Sequence, residues 1–192
     1  MTAELCLKNQ FLLAMPGLAG GYFGDTLTYV CEHNEDGAMG IIVNRPSPVT
    51  LIELMAQLGI DKGATPLDRV VMEGGPVGGD RGFILHTEDD RFDGSLALGN
   101  GLMLSSAREV LQAIARQEGP ADYLVALGYA GWDGGQLEVE LAENAWLTTP
   151  ADTAGTLARE IIFRTPFEDR IQRAAASLGI DFTLISSQPG HA

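Results

Sequence analysis

The chain has 192 residues, 45% of them hydrophobic and 20% charged, which is enough apolar surface for one buried core and excludes an intrinsically disordered polymer. Twelve Lys and Arg stand against 26 Asp and Glu, leaving a formal charge of −14 that repels phosphate backbones and anionic lipid surfaces, so binding to nucleic acid or to a membrane is not expected. Apart from Lys8 and Lys62 every cation is Arg, the type suited to bidentate pairing with carboxylate or phosphate.

In chain order, the first ten residues lack a basic leader, and the apolar run Phe11 to Met15 stops at Pro16, too short for a signal peptide or a span. That run reads as a buried strand closed by a Gly-rich loop, Pro16 to Gly21. Thr26 to His33 alternates, with Leu27, Tyr29, Cys31 and His33 on one face, and Ala38 to Asn44 returns after the turn Asn34-Glu35-Asp36-Gly37, which makes a hairpin. Arg45-Pro46-Ser47-Pro48 breaks the ladder. Thr50 with Glu53 then forms a capping box for a helix whose Leu51, Leu54, Met55 and Leu58 share a stripe, ended by Gly59.

Arg69 to Glu73 and Phe83 to Thr87 read as strands joined by the Gly-rich loop 74–82, and Ser95 to Leu98 and Leu102 to Leu104 as short strands. Ser106 with Glu109 predicts a second capped helix. Asp122 to Leu127 is a strand leading into a loop, Gly128 to Gly135. Gln136 to Glu143 satisfies both periods and is assigned to helix because Glu and Leu favour it. Ala145 to Thr149 reads as a strand and 154–163 as a helix. Thr165-Pro166-Phe167-Glu168 predicts a capped helix with Phe167, Ile171, Ala174 and Leu178 on its buried stripe, Phe182 to Ile185 a last strand, and the tail from about 186 a mobile end. One domain is expected, because no repeat or linker divides the chain.

The familiar chemical motifs are missing. No glycine loop carries Lys-Ser or Lys-Thr, the only G-x-G, Gly99-Asn100-Gly101, has Leu104 at the third glycine position, and no G-x-S-x-G nucleophile elbow occurs. Cys6 and Cys31 match neither a disulfide scaffold nor a zinc spacing, which suits a reducing cytoplasm, and no metal or cofactor is expected. Cys31, Glu32 and His33 could supply a nucleophile and a base, but strand neighbours two apart lie about 6.6 Å apart, beyond direct hydrogen bonding. His33 and His86 read as satisfied polar residues at strand ends.

The chain resembles the YqgE/AlgH family of bacterial proteins, also written as the AlgH transcriptional-regulator family. The resemblance is carried by Met15-Pro16-Gly17-Leu18, Cys31 to Gly40, Asn44-Arg45-Pro46, Gly74-Gly75-Pro76-Val77, Arg81-Gly82-Phe83, Leu85-His86, Leu127 to Trp132, Gln136-Leu137-Glu138 and Asn144 to Leu147, in family order from about residue 9 onward. It implies an α/β (α+β) domain with a bifurcated, mixed but largely antiparallel sheet that curls into a partial barrel flanked by several helices. It implies no reaction, cofactor or catalytic residue.

Function is therefore expected to be that of a regulatory module that binds a protein partner or a small anionic ligand, with a small-molecule hydrolase or transferase using Glu32 or His33 as base as the alternative. Hairpin geometry puts His33 and Asn44 roughly 20 Å apart, at opposite strand ends, which makes two candidate places. The first is Asn44 and Arg45 with backbone N–H groups of Gly17 and Gly75 and the guanidinium of Arg81. There Arg45 either pairs with a ligand carboxylate or phosphate or ties loops together. The second is Glu32, His33 and Asn34.

Overall fold

Residues 5–66, 68–88 and 92–186 are described in the computed structural model of the chain; the expected mobile tail lies almost wholly outside them. β1 (Phe11–Ala14) is buried at all four positions because it lies inside the sheet, between β2 (Leu27–Asn34) and β9 (Trp146–Thr148). β2 and β3 (Gly37–Ile42) form the expected hairpin, with the Asn34 side chain accepting from the Asp36 N–H at 2.8 Å in the turn. The remaining strands are β4 (Val71–Glu73), β5 (Val77–Thr87), β6 (Leu96–Ala97), β7 (Leu102–Ser106) and β8 (Tyr123–Asp133). The sheet runs β6-β7-β5-β8-β3-β2-β1-β9, antiparallel except for β4, which lies parallel to β8 off this path.

The sheet branches at β8. β3 pairs with the far half of β8 as far as Gly40 opposite Ala130, and then β4 enters between them, with Ile42 N–H donating to Gly74 O at 2.8 Å and Gly74 N–H to Leu127 O at 2.7 Å. Backbones crowd at this fork. A Cβ on Gly74, Gly75 or Gly128 would lie 2.3, 1.9 or 2.6 Å from a backbone atom of the facing strand, and Gly128 also needs φ +73°. Gly128 therefore continues β8 while Gly74 and Gly75 make the tight link from β4 to β5, and β5 and β8 each run eleven residues, into the stretches 74–82 and 128–135 that read as loops. Residues 78–81 bulge from β5 between the Val77–Tyr129 and Gly82–Leu127 pairs.

Closure into a partial barrel does not occur. Closing would need β6 and β9 to pair, and each instead ends the order with a single neighbour, β7 and β1. Helices cover both faces instead. On one face Tyr29, Cys31, Leu85 and Ala126 meet Ala158, Ile161, Ile162 and Ala174 from the C-terminal helices. On the other, α1 (Leu51–Gln57) and α2 (Ala107–Ala115) cover Val71, Ile84 and Val125, and α3 (Gln136–Ala142) with Trp146 covers Leu12, Val30 and Trp132.

The helix signals had mixed outcomes. The Thr50–Glu53 capping box forms in full, whereas Ser106 makes no side-chain cap for α2. The predicted 154–163 helix is α4 (Thr156–Arg159) followed by a π-helical turn, Glu160–Arg164. Thr165 is no N-cap, because its hydroxyl donates back to Glu160 O at 2.9 Å; a 3-10 turn at Phe167–Asp169 precedes α5 (Arg170–Ala176). The expected last strand is a helix, α6 (Phe182–Ser186), started by Asp181, whose carboxylate accepts from the N–H and hydroxyl of Thr183 and is held below its ordinary range by those bonds.

Candidate functional site

The loop after Met15 does close beside Asn44 and Arg45, and both side chains help to hold it. Asn44 Oδ1 accepts from Leu27 N–H at 2.7 Å and its amide donates to Asp25 O at 2.9 Å. Arg45 donates to Gly24 O at 3.1 Å and lies over the Tyr22 ring, 4.9 Å from its centroid, while Tyr22 donates to Glu73 at 2.6 Å. Gly17 sits in a turn with open space around it, Gly75 lies in the sheet fork, and Arg81 lies over the Phe83 ring at 5.5 Å. Arg45 thus acts as a tie between loops.

The second expected place is divided by a β-bulge between Val30 and Glu32, where one extra residue turns the strand over. Cys31 stays in the core of one face, its thiol pushed up to about 12 by burial, while His33 turns toward α3 on the other. Cys31 and His33 cannot act as a pair. His33 Nδ1 accepts from Leu7 N–H at 3.1 Å, which leaves the proton on Nε2, and Nε2 donates to Glu138 Oε1 at 2.7 Å. Both ring nitrogens are occupied, so His33 has no lone pair free for base chemistry. Glu32 pairs with Met39 and is directed away from His33. The Asn34 side-chain oxygen serves its turn, and Asn34 and His33 line a shallow cavity with Cys6 and Glu138.

A third place escaped the sequence reading. α5 begins at Arg170, whose side chain is only 8% exposed. Its Nε donates to Thr165 O at 3.0 Å and its Nη1 to Val43 O, and among the described residues no carboxylate pairs with it. Burial pulls the guanidinium down to about 10, against the opposing pull of Glu168, so the cation survives at neutral pH at a solvation cost. Arg170 lines a cavity of about 420 Å³ together with Arg69, Tyr123, Ile162, Phe163 and Phe167, with Asp68, Pro66 and Pro166 also on its wall.

In that cavity Tyr123 is 7% exposed, and its hydroxyl is buried with no hydrogen-bond acceptor among the described groups. The Arg69 guanidinium lies 5.0 Å from the centre of its ring. Burial raises the phenol despite Arg69, which keeps it a donor. The arrangement offers a buried cation with unused N–H groups, a hydroxyl without an acceptor, a second cation and aromatic walls. One signal was available: Arg170 stands three residues after Phe167 and four before Ala174, on the predicted buried stripe.

Comparison with known proteins gives a consistent answer. The profile of a family described as AlgH-like matches residues 11–183. A UPF0301 protein of Thioalkalivibrio sulfidiphilus is 50% identical over 192 residues, covering 100% of both chains, and one of Pseudomonas putida is 49% identical over 188 residues, covering 97% of this chain and 96% of its own. The solution structure of the AlgH protein from Pseudomonas aeruginosa superimposes with a TM-score of 0.76 at 45% identity, over 100% of this chain and 99% of that one. A crystal structure from Corynebacterium diphtheriae shares the fold at a TM-score of 0.61 and 19% identity, over 88% of this chain and 94% of its own.

Proposed function

The chain belongs to the AlgH-like family, and from the chemistry of the Arg170 cavity we propose that it is a regulatory binding module for a small organic anion. The observation that supports this is a buried arginine without a carboxylate and a buried tyrosine hydroxyl without an acceptor, among the described residues, both lining one cavity. Each costs stability when left unpaired, several kcal/mol for a buried ion and about 1–3 kcal/mol for a buried hydroxyl. One ligand carboxylate or phosphate would relieve both, accepting from the free edge of the Arg170 fork and from Tyr123. Phe163 and Phe167 would hold an apolar body, and Arg69 would steer the charge.

Acetate, benzoate and inorganic phosphate, compared at constant ionic strength, test the reading by thermal shift and calorimetry. Benzoate is expected to raise the unfolding midpoint most, and Tyr123→Phe to weaken its binding about tenfold, the worth of one hydrogen bond. Arg170→Lys keeps the charge but loses the fork, and is expected to weaken it further. Absence of stabilisation by any of the three anions, or equal binding by Tyr123→Phe, overturns the proposal.

A further inference from the structure

The anion cavity leaves unused a second constellation, on the strands β5 and β7. His86 stands opposite Met103 and Ser105 opposite Ile84, so His86 and Ser105 are diagonal neighbours on one face of the sheet. Ser105 Oγ lies 2.7 Å from His86 Nε2, and His86 Nδ1 lies 2.7 Å from Thr87 O. A carbonyl only accepts, so Nδ1 carries the proton and Nε2 presents its lone pair to the Ser105 hydroxyl. With that proton engaged, the Ser95 hydroxyl at 2.6 Å donates to Ser105 Oγ. The order is hydroxyl, imidazole, fixed acceptor, which is the order an activated serine requires.

The surroundings fit that chemistry. Ser105 is the penultimate residue of β7, and α2 starts two positions on with no side chain capping its first turn. Ser105 lines a cavity of about 500 Å³ whose wall includes Ala107 and Arg108 of that turn, Arg81 and Phe83. His86 is wholly buried, with Phe92 edge-on at 5.5 Å, which fixes the plane of the imidazole. The cavity is separate from the one holding Arg170.

We propose that Ser105 is an acyl-accepting nucleophile with His86 as its general base, acting on esters of small acids that carry a second, anionic group for Arg81 and Arg108. In the acylation step Ser105 Oγ bonds to the ester carbonyl carbon and its proton passes to His86 Nε2. The tetrahedral oxyanion is held by N–H groups of the first turn of α2. Collapse breaks the bond to the leaving alkoxide, which takes the proton from His86. Water then repeats the sequence on the acyl-serine, releasing the acid and restoring the hydroxyl.

A fluorophosphonate tests this directly, because an activated serine forms an Oγ–P bond with loss of fluoride and no redox partner is needed. The folded chain is expected to gain one phosphonyl adduct, mapped by peptide mass to Ser105, and the urea-unfolded chain none. His86→Gln, checked for folding by its unfolding midpoint, is expected to slow labelling about 100-fold or more, the usual share of a general base. Cleavage of p-nitrophenyl acetate should disappear in Ser105→Ala. An unlabelled folded chain, an adduct on any other residue, or undiminished labelling in His86→Gln overturns the proposal. Mapping on the unaltered chain decides the matter even where a variant fails to fold.

Discussion

Asn44 and Arg170 show how differently two polar side chains can be committed. Asn44 spends its amide oxygen and nitrogen on Leu27 and Asp25, while Arg170 makes two bonds to carbonyls and keeps the rest of its fork toward a cavity. Asn44-Arg45-Pro46 announces itself by composition, so a reading from residue types puts a binding site there. Arg170 is concealed because an arginine at the edge of an apolar stripe ordinarily extends to solvent, and only its position between Phe167 and Ala174 hints at burial. Cys31 offers a check at the same scale. Its thiol is wholly buried and donates weakly to Tyr29 O at 3.7 Å, whereas Cys6 is exposed. Iodoacetamide at neutral pH is therefore expected to add one adduct to the native chain, on Cys6, and a second only in denaturant, because the thiolate is the nucleophile and burial disfavours it. Two adducts on the folded protein, read by intact mass, would show that the core around β2 opens.

The sequence signals for elements held wherever one local force decided the matter. The hairpin was legible because alternation and an Asp-Gly turn agree, and α1 because its capping box needs only Thr50 and Glu53, whose carboxyl is held below its ordinary range by the Thr50 N–H and hydroxyl. Glycine misled. Gly128-Tyr129-Ala130-Gly131 reads as a turn, yet it is mid-strand because the fork demands residues without Cβ, a tertiary requirement that local propensity does not carry. Trp132 and Trp146 are set by one acceptor, the Glu140 Oε2 of α3, at 2.9 and 2.8 Å, which ties the three successive elements β8, α3 and β9 together. Gly128→Ala places a Cβ 2.6 Å from Gly75 O at a φ of +73°, and is expected to cost at least about 3 kcal/mol in urea unfolding. Gly17→Ala meets nothing within 4 Å and is expected to stay within about 0.5 kcal/mol, although both glycines belong to motif words. Equal effects at the two positions would remove the fork as the reason for the first.

For the whole molecule, the hairpin and the capped helix α1 were legible from periodicity, the mixed, branched α+β sheet came from the family resemblance, and the partial barrel expected with it is absent because β6 and β9 do not pair. Charge was legible as a total and not as a distribution. Many of the cations have partners within the chain: Arg45 at Gly24 O and the Tyr22 ring, Arg159 at the carbonyls of Asn100, Gly101 and Ala154, Arg164 at Asp122, Arg173 at Glu160, and Arg170 at the carbonyls of Thr165 and Val43. Duplex binding requires the opposite, a face on which several Arg or Lys reach phosphates a few ångströms apart and displace counterions. Here the arginines already hold carbonyls, carboxylates or a ring of the chain itself, under a net charge of −14 that repels a polyanion. A regulatory role would then run through a bound anion or a protein partner. Accordingly, a fluorescent DNA duplex is expected to show no change in anisotropy with the chain at physiological salt, and none that depends on sequence. Micromolar binding whose logarithm falls steeply with added salt would count phosphates neutralised by a basic face, and would overturn this expectation.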